Sequence, residues 1–106
     1  MKAGNVEHIA LNPATATPLI MEVAETSENV KFTRHAEEKM IKRGITRLQV
    51  LRCLKKGHIT EGPAPDIKGG WTFRMETLSA GDPITVIGSL YIEENGNKIV
   101  VITSYQ

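Results

Sequence analysis

The hydrophobic pattern of the chain changes its period at His58, and this change constrains the fold more than any other feature. Before it, apolar residues recur every three or four positions, which is typical of helices with one buried side. After it, Trp71, Phe73 and Met75 alternate with polar residues, which is typical of a strand with one buried face. Helices followed by strands predict an α+β domain, with the helices packed on one face of an antiparallel sheet of three to four strands.

Two helices are predicted in the middle of the chain. Thr33 caps the first, Arg34–Arg43, and Gly44 supplies the left-handed residue that commonly ends a helix. Thr46 and Gln49 have the spacing of a capping box at the start of the second helix. The lysines before the next glycine mark its end. Its predicted apolar stripe consists of Leu48, Val50, Leu51 and Leu54.

Strands are predicted over residues 71–76, 84–93 and 99–105, with a short additional strand at 58–61 and a loop at 63–70. Asn95-Gly96 is a strong signal for a hairpin turn between the last two strands. Residues two apart in a strand point the same way, so Ile99, Val101, Thr103 and Tyr105 are predicted to share one face. By the same rule Arg74 lies on the face opposite Trp71, Phe73 and Met75.

Residues 1–31 are interpreted as an N-terminal extension of a single domain at 32–106. Asn12-Pro13 and Thr17-Pro18 break the pattern, and only residues 18–25 are predicted to be helical, with Thr17 as the cap. This short helix packs either on the domain or on a partner; the residues leave both alternatives open.

Several classes of protein are disfavoured by the composition. No apolar run approaches the roughly 20 residues of a membrane span, and no secretory signal is visible, so a soluble cytoplasmic protein is expected. Cys53 is the only cysteine, which excludes an internal disulfide, and it is predicted to be a small core residue. The two aspartates, Asp66 and Asp82, fall in predicted loops, and His8 and His58 are isolated, so neither a metal nor another cofactor is expected.

Positive charge is concentrated in one quarter of the chain. Residues 31–56 contain nine basic and two acidic residues, whereas the whole chain has a net charge of only +1. Segregation of this kind creates a local field that attracts phosphate, although a solvated helix surface explains it equally well. At 100° per residue, the first predicted helix places four basic side chains within an arc of about 100° beside its apolar edge. These are His35, Lys39, Lys42 and Arg43.

This arc supports two interpretations. Lysine and arginine hold phosphate, and an imidazole among them moves protons near neutral pH. Alternatively, His35 only caps or packs while the cations are solvated. Thr103 and Tyr105, at the polar end of the last predicted strand, border a site or simply emerge into water. Arg74 is either a phosphate-binding residue or an ordinary surface residue.

Residues 32–45 read Phe-Thr-Arg-His-Ala-Glu-Glu-Lys-Met-Ile-Lys-Arg-Gly-Ile. This run resembles the opening motif His-Ala-x-x-Arg-Met-x-x-Arg-Gly-Ile of an uncharacterised bacterial family, domain of unknown function 4258. The family pattern closes on a strand with a Thr-x-Tyr-like end, matched here by Thr103-Ser104-Tyr105. The family is placed in the RelE-like fold group, with barnase, EndoU and colicins. Members of that group are largely metal-independent ribonucleases, and many are toxins paired with an antitoxin.

The resemblance implies a site and partners. His35, Arg43, Thr103 and Tyr105 occupy motif positions and are the expected catalytic residues. The expected RNA-binding residues are Lys39, which is a motif position, and Lys42 and Arg74, which are predicted from their charge and not from the resemblance. Lys39 replaces the more usual arginine, so it keeps the charge but loses bidentate phosphate binding. The expected function is an endoribonuclease toxin with RNA and an antitoxin protein as partners; the alternative is an RNA- or protein-binding module without turnover.

Overall fold

The computed structural model describes residues 11–79 and 81–106, and in this part of the chain three helices lie on one face of a five-stranded sheet. A short 3-10 turn, Ser27–Asn29, connects the first helix to the first strand. The elements in chain order are α1 (Pro13–Glu25), β1 (Val30–Phe32), α2 (Arg34–Arg43), α3 (Arg47–Lys56), β2 (His58–Pro65), β3 (Trp71–Ser79), β4 (Asp82–Tyr91) and β5 (Lys98–Tyr105). The prediction of an α+β domain is therefore confirmed, with a different strand count.

The caps predicted for α2 and α3 are confirmed. The Thr33 hydroxyl accepts a 3.0 Å hydrogen bond from the backbone amide of Ala36, and Gly44 ends α2 at a φ of +69°. At the start of α3, the Gln49 amide donates to the Thr46 hydroxyl at 3.1 Å, and the Gln49 side chain accepts from the Thr46 amide at 2.8 Å. Both helices thus begin and end where local sequence signals place them, because capping satisfies amides that no helical partner reaches.

Helix α1 begins earlier than predicted. It starts at Pro13 rather than Pro18, and Asn12 rather than Thr17 is its cap. The Asn12 side chain accepts from the Thr15 amide at 2.9 Å, and the Thr15 hydroxyl accepts from the Asn12 amide at 2.9 Å, which completes a capping box. Asn12-Pro13 is therefore a helix start and not a break, since proline at the first helical position needs no hydrogen-bonded amide. Pro18 lies inside the helix.

Helix α1 belongs to the same core as the rest of the domain. Ala16, Ile20 and Val23 of α1 are at most 4% exposed and pack into the hydrophobic cluster between helices and sheet. Of the two alternatives for this helix, packing on the domain is the one observed. The predicted extension is described from Leu11 onward, and His8 lies outside the described residues.

The sheet is mixed rather than purely antiparallel, with strand order β1-β5-β4-β3-β2. β1 pairs in parallel with β5, and the other pairs are antiparallel. β1 was not predicted, because three residues are too few to show a period of two. β2 continues to Pro65 through the predicted loop, with a cis Gly62–Pro63 bond and two irregularities in its pairing. As an edge strand, β2 tolerates prolines that a central strand would not.

One predicted core residue is exposed. Val50, Cys53 and Leu54 of α3 are fully buried, as expected, but Leu48 is 76% exposed. At 100° per residue, Leu48 lies about 160° around the helix from Val50, so both cannot face the sheet. The described residues contain no helix that is long and apolar enough to cross a membrane.

Candidate functional site

Strand β5 contains a bulge at Ile102. Gly88 of β4 pairs with Val101, whereas Ile87, the neighbour of Gly88, pairs with Thr103. Ile102 is therefore an extra residue without a partner in β4. Because side chains alternate along a strand, one extra residue exchanges the two faces for everything that follows.

The bulge divides the side chains of β5 between the two faces of the sheet. Ile99 and Val101 point into the core, and after the bulge Ser104 takes the core side and is fully buried. Thr103 and Tyr105 consequently lie on the opposite face. The prediction that all four odd-numbered residues share one face is thus wrong for Thr103 and Tyr105, because sequence alternation carries no sign of an inserted residue.

We call the sheet surface opposite helices α1, α2 and α3 the open face. Two rows of paired residues cross its centre, one through Arg74 and one through Tyr105. The rows are Arg74, Ile87 and Thr103, and Glu76, Thr85 and Tyr105. Arg74 lies on the face opposite Phe73 and Met75, as predicted, since both of those residues are buried against the helices.

Arg43, the last residue of α2, reaches the end of β5. Its Nη1 atom donates a 2.7 Å hydrogen bond to the backbone carbonyl of Ser104 and lies 3.5 Å from the Thr103 hydroxyl. Its guanidinium carbon is 5.8 Å from the centroid of the Tyr105 ring. α2 is held beside β5 at its other end as well, because Thr33 donates backbone and side-chain hydrogen bonds to the carbonyls of Val101 and Ile102.

A second arginine approaches the same ring. The guanidinium carbon of Arg74 is 5.7 Å from the Tyr105 centroid, within the range of a cation–π contact. Two arginines thus contact one tyrosine, and the Thr103 hydroxyl lies beside the first of them. We call Arg43, Arg74, Thr103 and Tyr105 the arginine–tyrosine cluster. Three of its members come from positions that the sequence resemblance singled out.

The two arginines differ in their electrostatic surroundings. Arg74 lies 3.9 Å from a Glu61 carboxylate oxygen and 3.7 Å from one of Glu76, and its buried Nε atom has no hydrogen-bond partner among the described residues. Arg43 has no ion pair within the described residues and is exposed. Arg43 therefore offers more uncompensated positive charge to a ligand than Arg74 does.

Sequence reasoning missed Glu76 as a member of this site. Glu76 of β3 and Tyr105 of β5 lie in the same cross-sheet row, and Thr85 of β4 lies between them. A signal was present, because Glu76 follows Arg74 by two positions in a strand and such residues share a face. Arg74 was predicted as a site residue but Glu76 was not, because a carboxylate on the exposed face of a strand is ordinarily a surface residue.

The remaining predicted residues lie along α2. Ala36 and Met40 are at most 5% exposed and pack on the sheet side, as predicted. His35 and Lys42 are exposed, and Lys39 is half-buried. His35 and Arg43 are two turns apart, or about 12 Å along the helix axis. Within the described residues, His35 makes no hydrogen bond or ion pair, so no direct contact joins it to the arginine–tyrosine cluster.

The Asp66 carboxylate lies at the end of the open face that is away from Tyr105. It accepts hydrogen bonds from the Ser89 hydroxyl and from the backbone amides of Gly70 at 2.9 Å and Lys68 at 2.8 Å, with the Thr72 hydroxyl at 3.3 Å. These donors, Ser89 first, lower the pKa of Asp66 below its ordinary value. The carboxylate orders the turn between β2 and β3, and it has no free coordination left for a ligand.

Neither metal chemistry nor thiol chemistry finds a candidate centre in the described parts of the chain. No group of three or more histidine, cysteine, aspartate or glutamate side chains could hold a metal ion there. Cys53 is buried, and its burial, with a smaller effect of the Glu76 charge, raises the pKa of the thiol to about 12. A thiol that stays protonated is a poor nucleophile and a poor metal ligand.

Comparison with known proteins gives one match. The model of a family described as "Domain of unknown function (DUF4258)" matches residues 32–106. No curated protein matches the chain, and neither does any solved structure. The matched region contains all members of the arginine–tyrosine cluster and all predicted site residues.

Proposed function

The chain belongs to the family with the domain of unknown function DUF4258, and we propose that this member is a metal-independent endoribonuclease. The observation that carries the proposal is the pair of arginines on Tyr105, at 5.8 Å for Arg43 and 5.7 Å for Arg74. Guanidinium groups bind phosphate oxygens and stabilise the extra negative charge of a phosphorane. An aromatic ring near both arginines offers a stacking surface for a base and a hydroxyl that exchanges protons.

The proposed reaction uses the RNA's own nucleophile. The 2′-hydroxyl attacks the adjacent phosphorus, the bond to the 5′-oxygen of the next nucleotide breaks, and a 2′,3′-cyclic phosphate remains on the upstream fragment. One proton leaves the 2′-oxygen and one joins the departing 5′-oxygen. Arg43 and Arg74 hold the phosphate, and the Thr103 hydroxyl, 3.5 Å from Arg43, orients the guanidinium or the phosphate.

Two assignments of the proton-transfer groups are consistent with this reaction. The sequence motif favours His35, which lies on the same helix as Arg43 and is exposed to a ligand. The geometry favours Glu76 together with Tyr105, because Glu76 lies 3.7 Å from Arg74 and in the same cross-sheet row as the tyrosine. We assign proton transfer to Glu76 and Tyr105. His35 would instead bind the part of the RNA that lies along α2.

We further propose that the domain groups with the RelE-like toxins. Support comes from the order of elements in residues 32–106, where helices α2 and α3 precede the antiparallel strands β2 to β5 and pack on one face. Further support comes from the position of Arg43 and Arg74 near Tyr105, which is the last residue of the last strand. As a toxin, the protein would arrest growth when expressed alone in bacteria, and a neutralising antitoxin would be its protein partner.

Cleavage of a defined RNA tests the proposal. Purified protein is incubated with end-labelled RNA in EDTA, alongside the same oligonucleotide with a 2′-deoxy sugar at the scissile position. We expect cleavage of the first, a cyclic phosphate on its upstream product, and no cleavage of the second. Arg43→Ala, Glu76→Gln and Tyr105→Phe should each lower the rate by about 10²-fold, and His35→Ala should lower it less.

The same assay separates the assignments. If His35→Ala abolishes cleavage while Glu76→Gln does not, the proton-transfer role belongs to His35. If the wild type binds RNA but never cleaves it, the second candidate function holds, a non-catalytic RNA-binding module. One observation favours that candidate, namely that Glu61 and Glu76 both neutralise Arg74 and so reduce its capacity to stabilise a phosphorane. Cleavage that requires a divalent metal contradicts the proposed chemistry.

A further inference from the structure

An apolar groove lies between α1 and α3, away from the open face. It has a volume of about 500 Å³, and its apolar side chains are Met21, Leu48 and Leu51. Leu48 is 76% exposed and Met21 40%, although both are large hydrophobic residues. A second concavity of about 720 Å³, running toward Phe32 of β1, shares Leu48 and Leu51 with the first. Leu48 therefore stands between two grooves, where a docked partner would bury it from both sides.

The groove has a basic rim. Arg52, Lys55 and Lys56 of α3 line it, and none of the three has an ion pair within the described residues. Among the described residues that line it, Glu25 is the single acidic one. An apolar floor with a cationic border matches a ligand that is apolar on one side and negatively charged at its flanks.

We propose that this groove binds an acidic amphipathic helix of a partner protein. A groove between two helices accommodates the apolar stripe of a third, whose leucine-type residues recur every three or four positions. Acidic residues flanking that stripe would meet Arg52, Lys55 and Lys56. The proposal is independent of the proposed ribonuclease activity, because it uses none of the residues in the arginine–tyrosine cluster.

Two other occupants fit the groove less well. RNA presents no aliphatic surface that would cover Leu48 and Met21, and base stacking prefers aromatic side chains over leucine. A second copy in a two-fold symmetric dimer would bring the same patch against itself. Such a dimer would bring two sets of Arg52, Lys55 and Lys56 into one interface, where Glu25 is the one acidic residue among the described residues that line the groove.

A synthetic peptide tests the proposal on the full chain. The probe is a helical peptide with leucines at positions i, i+3, i+4 and i+7 and glutamates at the flanks; its counterpart carries lysine in place of every glutamate. We expect the acidic peptide to bind in a fluorescence anisotropy titration and to shift amide NMR signals of α1 and α3. The basic peptide should bind at least about tenfold more weakly.

Matched variants locate the binding. Leu48→Gln should weaken binding of the acidic peptide by about tenfold, because the leucine becomes buried in the complex. Ile41→Gln is the control, since Ile41 is 83% exposed on α2 and does not line the groove. Circular dichroism establishes that both variants remain folded. Lys55→Glu combined with Lys56→Glu should weaken binding of the acidic peptide and strengthen binding of the basic peptide.

Several outcomes overturn the proposal. Absence of binding, equal binding of the two peptides, or an equal loss for Ile41→Gln and Leu48→Gln would each do so. Sedimentation of the protein alone provides one more test. A dimer that forms at rising concentration and is lost in Leu48→Gln would assign the groove to a second copy instead.

Discussion

The guanidinium of Arg43 donates a 2.7 Å hydrogen bond to the backbone carbonyl of Ser104. β1 pairs with β5 only as far as Val101, so the Ser104 carbonyl lies on a strand edge without a neighbouring strand in the described residues. The contact joins the last residue of α2 to the last strand and holds the guanidinium 5.8 Å from the Tyr105 ring. The Arg43 side chain thus stabilises the edge of the sheet and also contributes to the candidate site.

Replacing Arg43 should affect stability. Arg43→Ala is expected to lower the free energy of unfolding by about 1 kcal/mol, because a charge-assisted hydrogen bond to a partly buried carbonyl is lost. Urea denaturation followed by circular dichroism measures the change. The control is Lys42→Ala, since Lys42 is exposed, and its effect should stay within about 0.5 kcal/mol. Equal effects of the two variants would contradict a structural role for the Arg43–Ser104 contact.

Two buried serines should respond in opposite directions to replacement by alanine. The Ser104 hydroxyl is buried and has no hydrogen-bond partner within the described residues, whereas the Ser89 hydroxyl donates to Asp66. Ser104→Ala is expected to raise the free energy of unfolding by about 1 kcal/mol, because it removes an unsatisfied buried polar group. Ser89→Ala should lower it by a similar amount. Thermal and urea denaturation check both, and destabilisation by Ser104→Ala would reveal an unrecognised partner.

The Asp66 carboxylate should give the protein an acid-sensitive component of stability. Its hydrogen-bond donors, the Ser89 hydroxyl first, lower its pKa in the folded state. This stabilisation is therefore fully present above the unfolded-state pKa of about 4 and is lost as the pH falls below that value. Compared with Asp66→Asn, the wild type should be more stable at neutral pH, and the difference should shrink below about pH 4. A difference that is independent of pH would contradict this account.

Cys53 should be unreactive and should make stability fall at alkaline pH. Burial raises the pKa of its thiol to about 12, so the folded protein keeps the thiol protonated while the unfolded chain ionises from about pH 8.5. The contribution of the protonated thiol to the free energy of unfolding is therefore fully present below about pH 8.5 and is lost as the pH rises above it. Ellman's reagent at pH 8 should label the protein only after unfolding in urea. Rapid labelling of the folded protein would contradict the buried position.

RNA binding, if it involves α2, should depend on salt through the cations of that helix. Replacing Lys39, Lys42 and Arg43 together by alanine should reduce the slope of log affinity against log salt by about 2, because each neutralised phosphate releases counterions. The same substitutions at Arg52, Lys55 and Lys56 of α3 are the control and should leave the slope unchanged. Fluorescence anisotropy with a labelled RNA at several salt concentrations measures both. A reduced slope in the control would place RNA on α3 instead.

The sequence alone determined the features that depend on neighbours in the chain. The ends of α2 and α3 were predicted correctly, because Thr33, Gly44, Thr46 and Gln49 satisfy backbone groups within one turn of where they stand. The burial of Cys53 and the opposite directions of Arg74 and Phe73 were predicted as well. The first follows from the usual burial of a lone cysteine, and the second from the strand period that a short stretch of sequence reveals.

The tertiary structure decided which of these elements meet and which face the last residues take. The bulge at Ile102 moved Tyr105 to the open face, and only there does its ring meet Arg43 and Arg74. No local pattern encodes an inserted residue in a strand, because the pairing that defines it involves β4, a separate segment of the chain. The three-residue strand β1 likewise exists only through its pairing with β5, so its position was settled by long-range hydrogen bonds and not by its own sequence.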